Sequence, residues 1–203
     1  AVVLLLLVWL QERKMWAAVC AGLALGALAS TYATSAIFLG AALGILLVGA
    51  ALRRSWTEVR GLVITALAAV PMSAYFLYNY VSIRALPYAS EFYDRLGGDI
   101  THSFRWSRWP DYLWYVALAA AVTVLGRRAQ SREAARVVSA LLLAGIVVWN
   151  IHVITGYNPA PSVWRLHQIY FGLSLAGFVL LCWFVAEIRR RSRTCKSSMS
   201  TGS

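Results

Sequence analysis

The chain alternates long apolar runs with short polar breaks. About 20 apolar residues in a helix span the hydrocarbon core of a bilayer, and most of the runs approach or exceed that length. The pattern predicts an all-α, polytopic integral membrane protein with about six transmembrane helices plus a truncated N-terminal one. The opening run, 1–10, is too short to cross, so we expect it to be the end of a helix that begins upstream. The predicted full spans are 15–30, 35–52, 61–81, 110–125, 137–155 and 163–187.

The second apolar run predicts a helical hairpin. Met15–Leu52 contains 38 residues and no charged side chain. One helix of that length would extend for about 57 Å at ~1.5 Å per residue, whereas the apolar core is only ~30 Å thick. The polar cluster at 30–35 therefore marks a turn. Small residues allow helices to approach closely, and glycines recur four residues apart in both arms (Gly22 and Gly26, Gly40 and Gly44).

Two segments fall outside the spans. The loop 82–109 is the longest interruption, and within it the spacing of Tyr88, Phe92 and Leu96 predicts a short helix over Pro87–Leu96 that lies on the membrane surface. Residues 189–203 are basic and then rich in Ser and Thr, which predicts a disordered tail.

Charge distribution predicts sidedness. The chain is 60% hydrophobic and 13% charged, with a net charge of +11 and a mean hydropathy of +0.64. The Lys and Arg residues form short clusters between apolar runs, unlike the continuous basic face that nucleic-acid binding needs, so no nucleic-acid partner is expected. Fourteen of them lie in the breaks at 11–14, 53–60, 126–136 and 189–196, against five in the alternate breaks. Basic loops stay cytoplasmic, which predicts a plasma or inner membrane protein with a cytoplasmic C-terminus and with 82–109 and 156–166 outside.

The polar residues expected outside form the candidate site. Arginines there suit the bidentate binding of phosphate, and acids or histidines suit proton transfer. Alternatively, they are the ordinary polar loops and aromatic belt of a membrane protein. The three cysteines and three histidines show no metal-ligand spacing, so no metal site is predicted, and no cofactor or catalytic residue is assigned. The candidate substrate-binding residues are Arg84, Arg95, Asp99, His102, Arg105, Arg108, His152, Trp164, Arg165 and His167.

One segment resembles a known family. The hairpin Trp16–Leu52, a helix rich in Gly and Ala, a Ser/Thr turn and a second apolar helix, is similar to a segment of the membrane-embedded GT-C-type glycosyltransferases. The resemblance implies transfer of a sugar from a polyprenyl-phosphate donor on the outer membrane face. It also implies a catalytic acid upstream of these residues, and a role in holding the donor phosphate for the outer arginines Arg84, Arg95, Arg105, Arg108 and Arg165.

Two functions are compatible with these patterns. The first is the C-terminal membrane part of such a glycosyltransferase, with the lipid bilayer and a polyprenyl-phosphate sugar as partners. The alternative is a non-catalytic membrane protein, such as part of a transporter or flippase or a structural subunit of an envelope complex. From Met15 onward no charged residue falls in the middle of a span, which argues against ion-coupled transport.

Overall fold

A computed structural model describes residues 1–89, 91, 99–100, 104, 106–128, 131–155, 157–158, 170 and 172–185. These residues are helical apart from connections and one short strand pairing, which confirms the predicted all-α class. The helices are α1 (Val2–Glu12), α2 (Met15–Thr31), α3 (Ala33–Leu52), α4 (Trp56–Arg84), a 3₁₀ turn (Trp106–Arg108), α5 (Trp109–Arg128), α6 (Arg132–Trp149), α7 (Ile151–Thr155) and α8 (Gly172–Val185). The strands are β1 (Asp99–Ile100) and β2 (Tyr157–Asn158).

Helix α6 lies at the centre of the bundle. Its Leu141 and Val148 belong to an apolar core formed with α1, α2, α3 and α4. Its Leu142 and Trp149 belong to a second core formed with α5 and α8. Helix α6 therefore packs against both cores and joins the two halves of the described structure.

The helical hairpin turns within the predicted polar cluster. Helix α2 ends at Thr31 and α3 begins at Ala33, with only Tyr32 between them. Helix α2 packs most extensively against α4. A Cβ atom at Gly22 would overlap the carbonyl oxygen of Thr65, and one at Gly26 would overlap that of Ala69. The first glycine pair therefore allows the close approach that was expected of it.

The second glycine pair, Gly40 and Gly44 on α3, has a different environment. In the part of the chain that the structure describes, no atom from a neighbouring element lies within 4 Å of the Cβ position at Gly40 or Gly44. The other face of α3 packs on α6 and α4. The small-residue face of α3 is therefore open.

The helix expected over 137–155 has different bounds. It begins five residues earlier, at Arg132, and stops at Trp149, after which α7 continues from Ile151. At the break, Asn150 Nδ2 donates to the carbonyl oxygen of Ile146 at 3.0 Å. Asparagine side chains compete with the backbone for such hydrogen bonds, which explains why the helix is interrupted there.

Two helices are long and apolar enough to cross a membrane, judged by length and composition among the described residues: Ala33–Leu52 and Trp56–Arg84. A signal sequence, or the core helix of a soluble protein, can have the same length and apolar composition. The predicted count of about six spans therefore stays a prediction. Helices α1, α2 and α8 are apolar but shorter. Most of the predicted surface helix Pro87–Leu96, the first part of the span 163–187 and the tail 189–203 lie outside the described residues.

Candidate functional site

Polar side chains cluster at the two opposite ends of the bundle. We call the end that carries Arg13, Arg53, Glu58 and Arg136 the basic end. We call the end that carries Arg108, Asp111, Tyr112 and Trp149 the aromatic end. Of the candidate site residues predicted from the sequence, Arg108 lies at the aromatic end.

The basic end is organised around one buried carboxylate. The Glu58 side chain is only 7% exposed and accepts hydrogen bonds from three arginines. Arg13 Nη2 lies 2.9 Å from Oε1, Arg53 Nη2 lies 3.0 Å from Oε2 and Arg136 Nη1 lies 3.2 Å from Oε1. Since these arginines come from three different polar breaks, the breaks at 11–14, 53–60 and 126–136 all lie at the same end of the bundle.

The charge of Glu58 is set by two opposing effects. The residue lies in the first turn of α4, before the apolar stretch 61–81. Burial raises the pKa of its carboxyl, but the hydrogen bonds from Arg13 and Arg53 and the charge of Arg136 outweigh burial and hold the pKa below its ordinary value of 4.5. Glu58 is therefore ionised at neutral pH, and the cluster ties α1, α3, α4 and α6 together.

The aromatic end holds Arg108 between an acid and a ring. Its guanidinium carbon lies 5.5 Å from the centre of the Trp149 ring, within cation–π range. Arg108 Nη1 lies 3.7 Å from Asp111 Oδ2, which is a long ion pair between partly exposed side chains. The acid takes this position because Pro110 and Asp111 form the first turn of α5.

Behind Arg108 the site is buried and hydrogen-bonded. Asn150 Nδ2 donates to the Tyr112 hydroxyl at 2.9 Å, and the Tyr112 ring packs edge-on against Trp149 with 6.1 Å between centroids. Phe104 packs on the same tyrosine at 5.4 Å. The break in the helix at Asn150 thus supplies the polar group that orients Tyr112.

A cleft of about 270 Å³ opens beside this cluster, between α5 and α8. Its lining includes Asp111 and Trp149, both of which Arg108 contacts, and Leu118 and Leu173. The remaining lining residues are aromatic: Trp114, Tyr115 and Tyr170. The lining thus combines one acid, Asp111, with aromatic and leucine side chains.

The strand pairing brings the two predicted outer loops together. Asp99 pairs with Asn158 and Ile100 with Tyr157, antiparallel, so residues 99–100 of the first predicted outer loop and residues 157–158 of the second lie side by side. A candidate surface shared by these loops, expected from the sequence, therefore has a backbone connection.

Four of the predicted site residues lie among those described. Arg108 lies in the aromatic cluster. His152, on α7, is fully buried. Arg84 places its guanidinium 5.3 Å from the Tyr80 ring of its own helix, and Asp99 lies in β1. The other predicted site residues lie outside the described part of the chain: Arg95, His102, Arg105, Trp164, Arg165 and His167.

Sequence reasoning missed Glu58, Tyr112 and Trp149. Glu58 had one available signal, because it is the only acid in the break 53–60 and three arginines accompany it. No sequence signal distinguishes Tyr112 or Trp149, since both lie in apolar runs rich in aromatic residues. Their pairing depends on how α5 packs on α6.

Among the described residues, no group of three or more His, Cys, Asp or Glu side chains could hold a metal ion. No family model, curated protein or solved structure matches the chain. The described structure thus defines a helical bundle with a basic end, an aromatic end and an aromatic-lined cleft.

Proposed function

We propose that this chain is the membrane-embedded part of a glycosyltransferase that takes a polyprenyl-phosphate-linked sugar at the outer membrane face. The proposal has three parts, which are membrane insertion, orientation and donor binding. Each rests on a different observation.

Membrane insertion is supported by the outward surface of the long helices. In their most apolar stretches, α3 and α4 bury only 33% and 22% of their residues, whereas a core helix of a soluble protein is mostly buried. Leu67 is 64% exposed and Val70 is 54% exposed, both in the middle of α4. An apolar surface of this extent, in the middle of long helices, needs lipid or a partner to cover it.

Orientation is supported by the gathering of basic residues at one end. The end that faces the cytoplasm carries an excess of Lys and Arg in membrane proteins, and the basic end collects three of the four basic breaks. The aromatic end then faces outward, where Trp and Tyr side chains at the interface suit the head-group level of the bilayer.

Donor binding is supported by one observation above all, the mixed lining of the cleft between α5 and α8, with Arg108 in contact with two of its residues. A polyprenyl-phosphate sugar is an anion attached to a long apolar chain. Arg108, which contacts the lining residues Asp111 and Trp149, suits the phosphate, the exposed ring of Trp114 suits a sugar, and Leu118 and Leu173 suit the isoprenoid chain. The ion pair of Arg108 with Asp111 is long and partly exposed, so a phosphate can compete for the guanidinium at little cost.

Arg108→Gln tests this assignment. Binding of undecaprenyl phosphate to the purified protein in lipid nanodiscs should weaken by about tenfold, since one charge-assisted contact is lost. Arg60→Gln, an exposed arginine at the basic end, is the matched control and should leave binding unchanged. Equal binding by Arg108→Gln would remove the residue from the site, and no binding by the unaltered protein would refute the donor class.

The alternative, a non-catalytic subunit of a membrane complex, is favoured by a different observation, the open face of α3. Gly40 and Gly44 lie where a further helix can approach closely. Cross-links from Gly44→Cys to another protein in native membranes, together with an absence of donor binding, would favour this function.

A further inference from the structure

The basic end contains a second cleft, of about 410 Å³, which neither the fold nor the proposed donor site explains. It lies where α3 ends, α5 ends and α6 begins. Four arginines line it together with Thr123 and Ala135: Arg53, Arg127, Arg132 and Arg136. Its volume falls within the range of about 300–1,000 Å³ that is usual for small-molecule sites.

Among the described residues, Glu58 is the one acid that forms ion pairs with arginines of this cleft. None of its described lining residues is acidic. Glu58 interacts with Arg53 and Arg136, but it shares its single charge with Arg13 as well. Arg127 and Arg132 are exposed and form no ion pair with an acid in the part of the chain that the structure describes. The cleft therefore carries several positive charges that repel one another.

Guanidinium groups that converge on one cavity suit a phosphate group. Each arginine offers a planar fork of donors that matches two phosphate oxygens, and a bound anion relieves the repulsion between the cations. Arg53 and Arg136 are held in place by Glu58, so half of the donors are positioned before any ligand binds. Arg127 lies in the last turn of α5 and Arg132 is the first residue of α6.

We propose that this cleft binds a phosphate-bearing anion, either the head group of an anionic lipid or a soluble phosphate compound. The two sources share the same chemistry at the arginines. The site is independent of the proposed donor site, because it lies at the opposite end of the bundle.

The double variant Arg127→Gln/Arg132→Gln tests the proposal. These two arginines are chosen because they hold no described structural ion pair, whereas Arg53 and Arg136 hold Glu58. Arg54→Gln/Arg60→Gln is the matched control: it removes the same charge from exposed positions at the basic end that do not line the cleft. Unfolding temperatures of both variants are measured first, and the single variant Arg132→Gln replaces the double one if the latter does not fold.

Two binding measurements separate the ligand sources. Titration calorimetry with inorganic pyrophosphate, on protein in phosphatidylcholine nanodiscs, reports a soluble ligand. Native mass spectrometry of retained phosphatidylglycerol and cardiolipin reports a lipid head group. In at least one arm the unaltered protein should bind, the cleft variant should bind about tenfold or more weakly, and the control should match the unaltered protein. An adventitious charge effect would weaken both variants equally; that result, or no binding in either arm, overturns the proposal.

Discussion

At the scale of single residues, Glu58 has the largest structural role among the described polar side chains. It lies 45 residues from Arg13 and 78 residues from Arg136 along the chain, yet it contacts both. Removing one partner of a buried charge cluster is costly because the remaining charges lose their compensation. The arginines are partly exposed, so water offsets part of that cost.

Glu58→Gln should therefore destabilise the protein by about 1.5–3 kcal/mol, the usual effect of losing hydrogen bonds to a charged group. Glu12→Gln is the control, because Glu12 also has a basic partner at this end, Lys14, but both side chains are about half exposed and such pairs contribute ~0–1 kcal/mol. Thermal unfolding in detergent, followed by tryptophan fluorescence, measures both. Equal losses would show that the buried cluster has no special role.

The lowered pKa of Glu58 predicts the sign of a pH effect. Because the pKa is lower in the folded state than its ordinary value of 4.5, the cluster contributes its full stability above the unfolded-state value. That contribution is lost as the pH falls through the folded-state pKa. Between pH 7 and pH 3, the unfolding temperature of the unaltered protein should fall by more than that of Glu58→Gln, which has no carboxyl group to protonate at this position. Identical acid profiles for the two proteins would contradict the ionised cluster.

At the scale of elements, the interface of α2 with α4 depends on the absence of side chains. Gly22 and Gly26 let the α2 backbone lie against Thr65 and Ala69. Gly40 and Gly44 repeat the same spacing on α3 but have no such neighbour among the described residues. The two pairs are thus matched in sequence and opposite in environment.

Gly22→Ala and Gly26→Ala should each destabilise the protein by about 1–3 kcal/mol, because the added methyl group would overlap a backbone carbonyl of α4. Gly40→Ala and Gly44→Ala should be neutral or stabilising by about 0.5–1 kcal/mol, since alanine favours a helix more than glycine does. Unfolding temperatures of the four variants decide the matter. Destabilisation by the α3 variants as large as that by the α2 variants would mean that a further element packs on α3.

At the scale of the whole molecule, the two ends differ in chemistry in a way that suits two membrane surfaces. The basic end gathers arginines around Glu58 and around the larger cleft. The aromatic end gathers Trp, Tyr and Phe side chains around Arg108. The proposed orientation places the basic end at the cytoplasmic face of a bilayer and the aromatic end at the outer face.

Single engineered thiols test that orientation in a background where Cys20, Cys182 and Cys195 are replaced by Ser. Thr57→Cys places an exposed thiol at the basic end, and Tyr88→Cys places one after α4, at the other end, where the tyrosine is 58% exposed. In intact cells an impermeant maleimide should modify Tyr88→Cys, and Thr57→Cys should react only after permeabilisation. The reverse pattern would invert the orientation, and equal reaction of both thiols would contradict membrane insertion.

The sequence by itself determined that the chain is helical and that the hairpin turns near residue 32, because both depend on local features: apolar runs, polar breaks and chain length. Only the tertiary structure decided which glycine pair meets a neighbour, that α6 is central, and that Glu58 gathers the arginines of three breaks. It also placed Arg108, one of the candidate site residues predicted from the sequence, against Trp149. The physical reason is distance along the chain: Glu58 lies 45 positions from Arg13 and 78 from Arg136, and no local periodicity specifies which helix faces pack together.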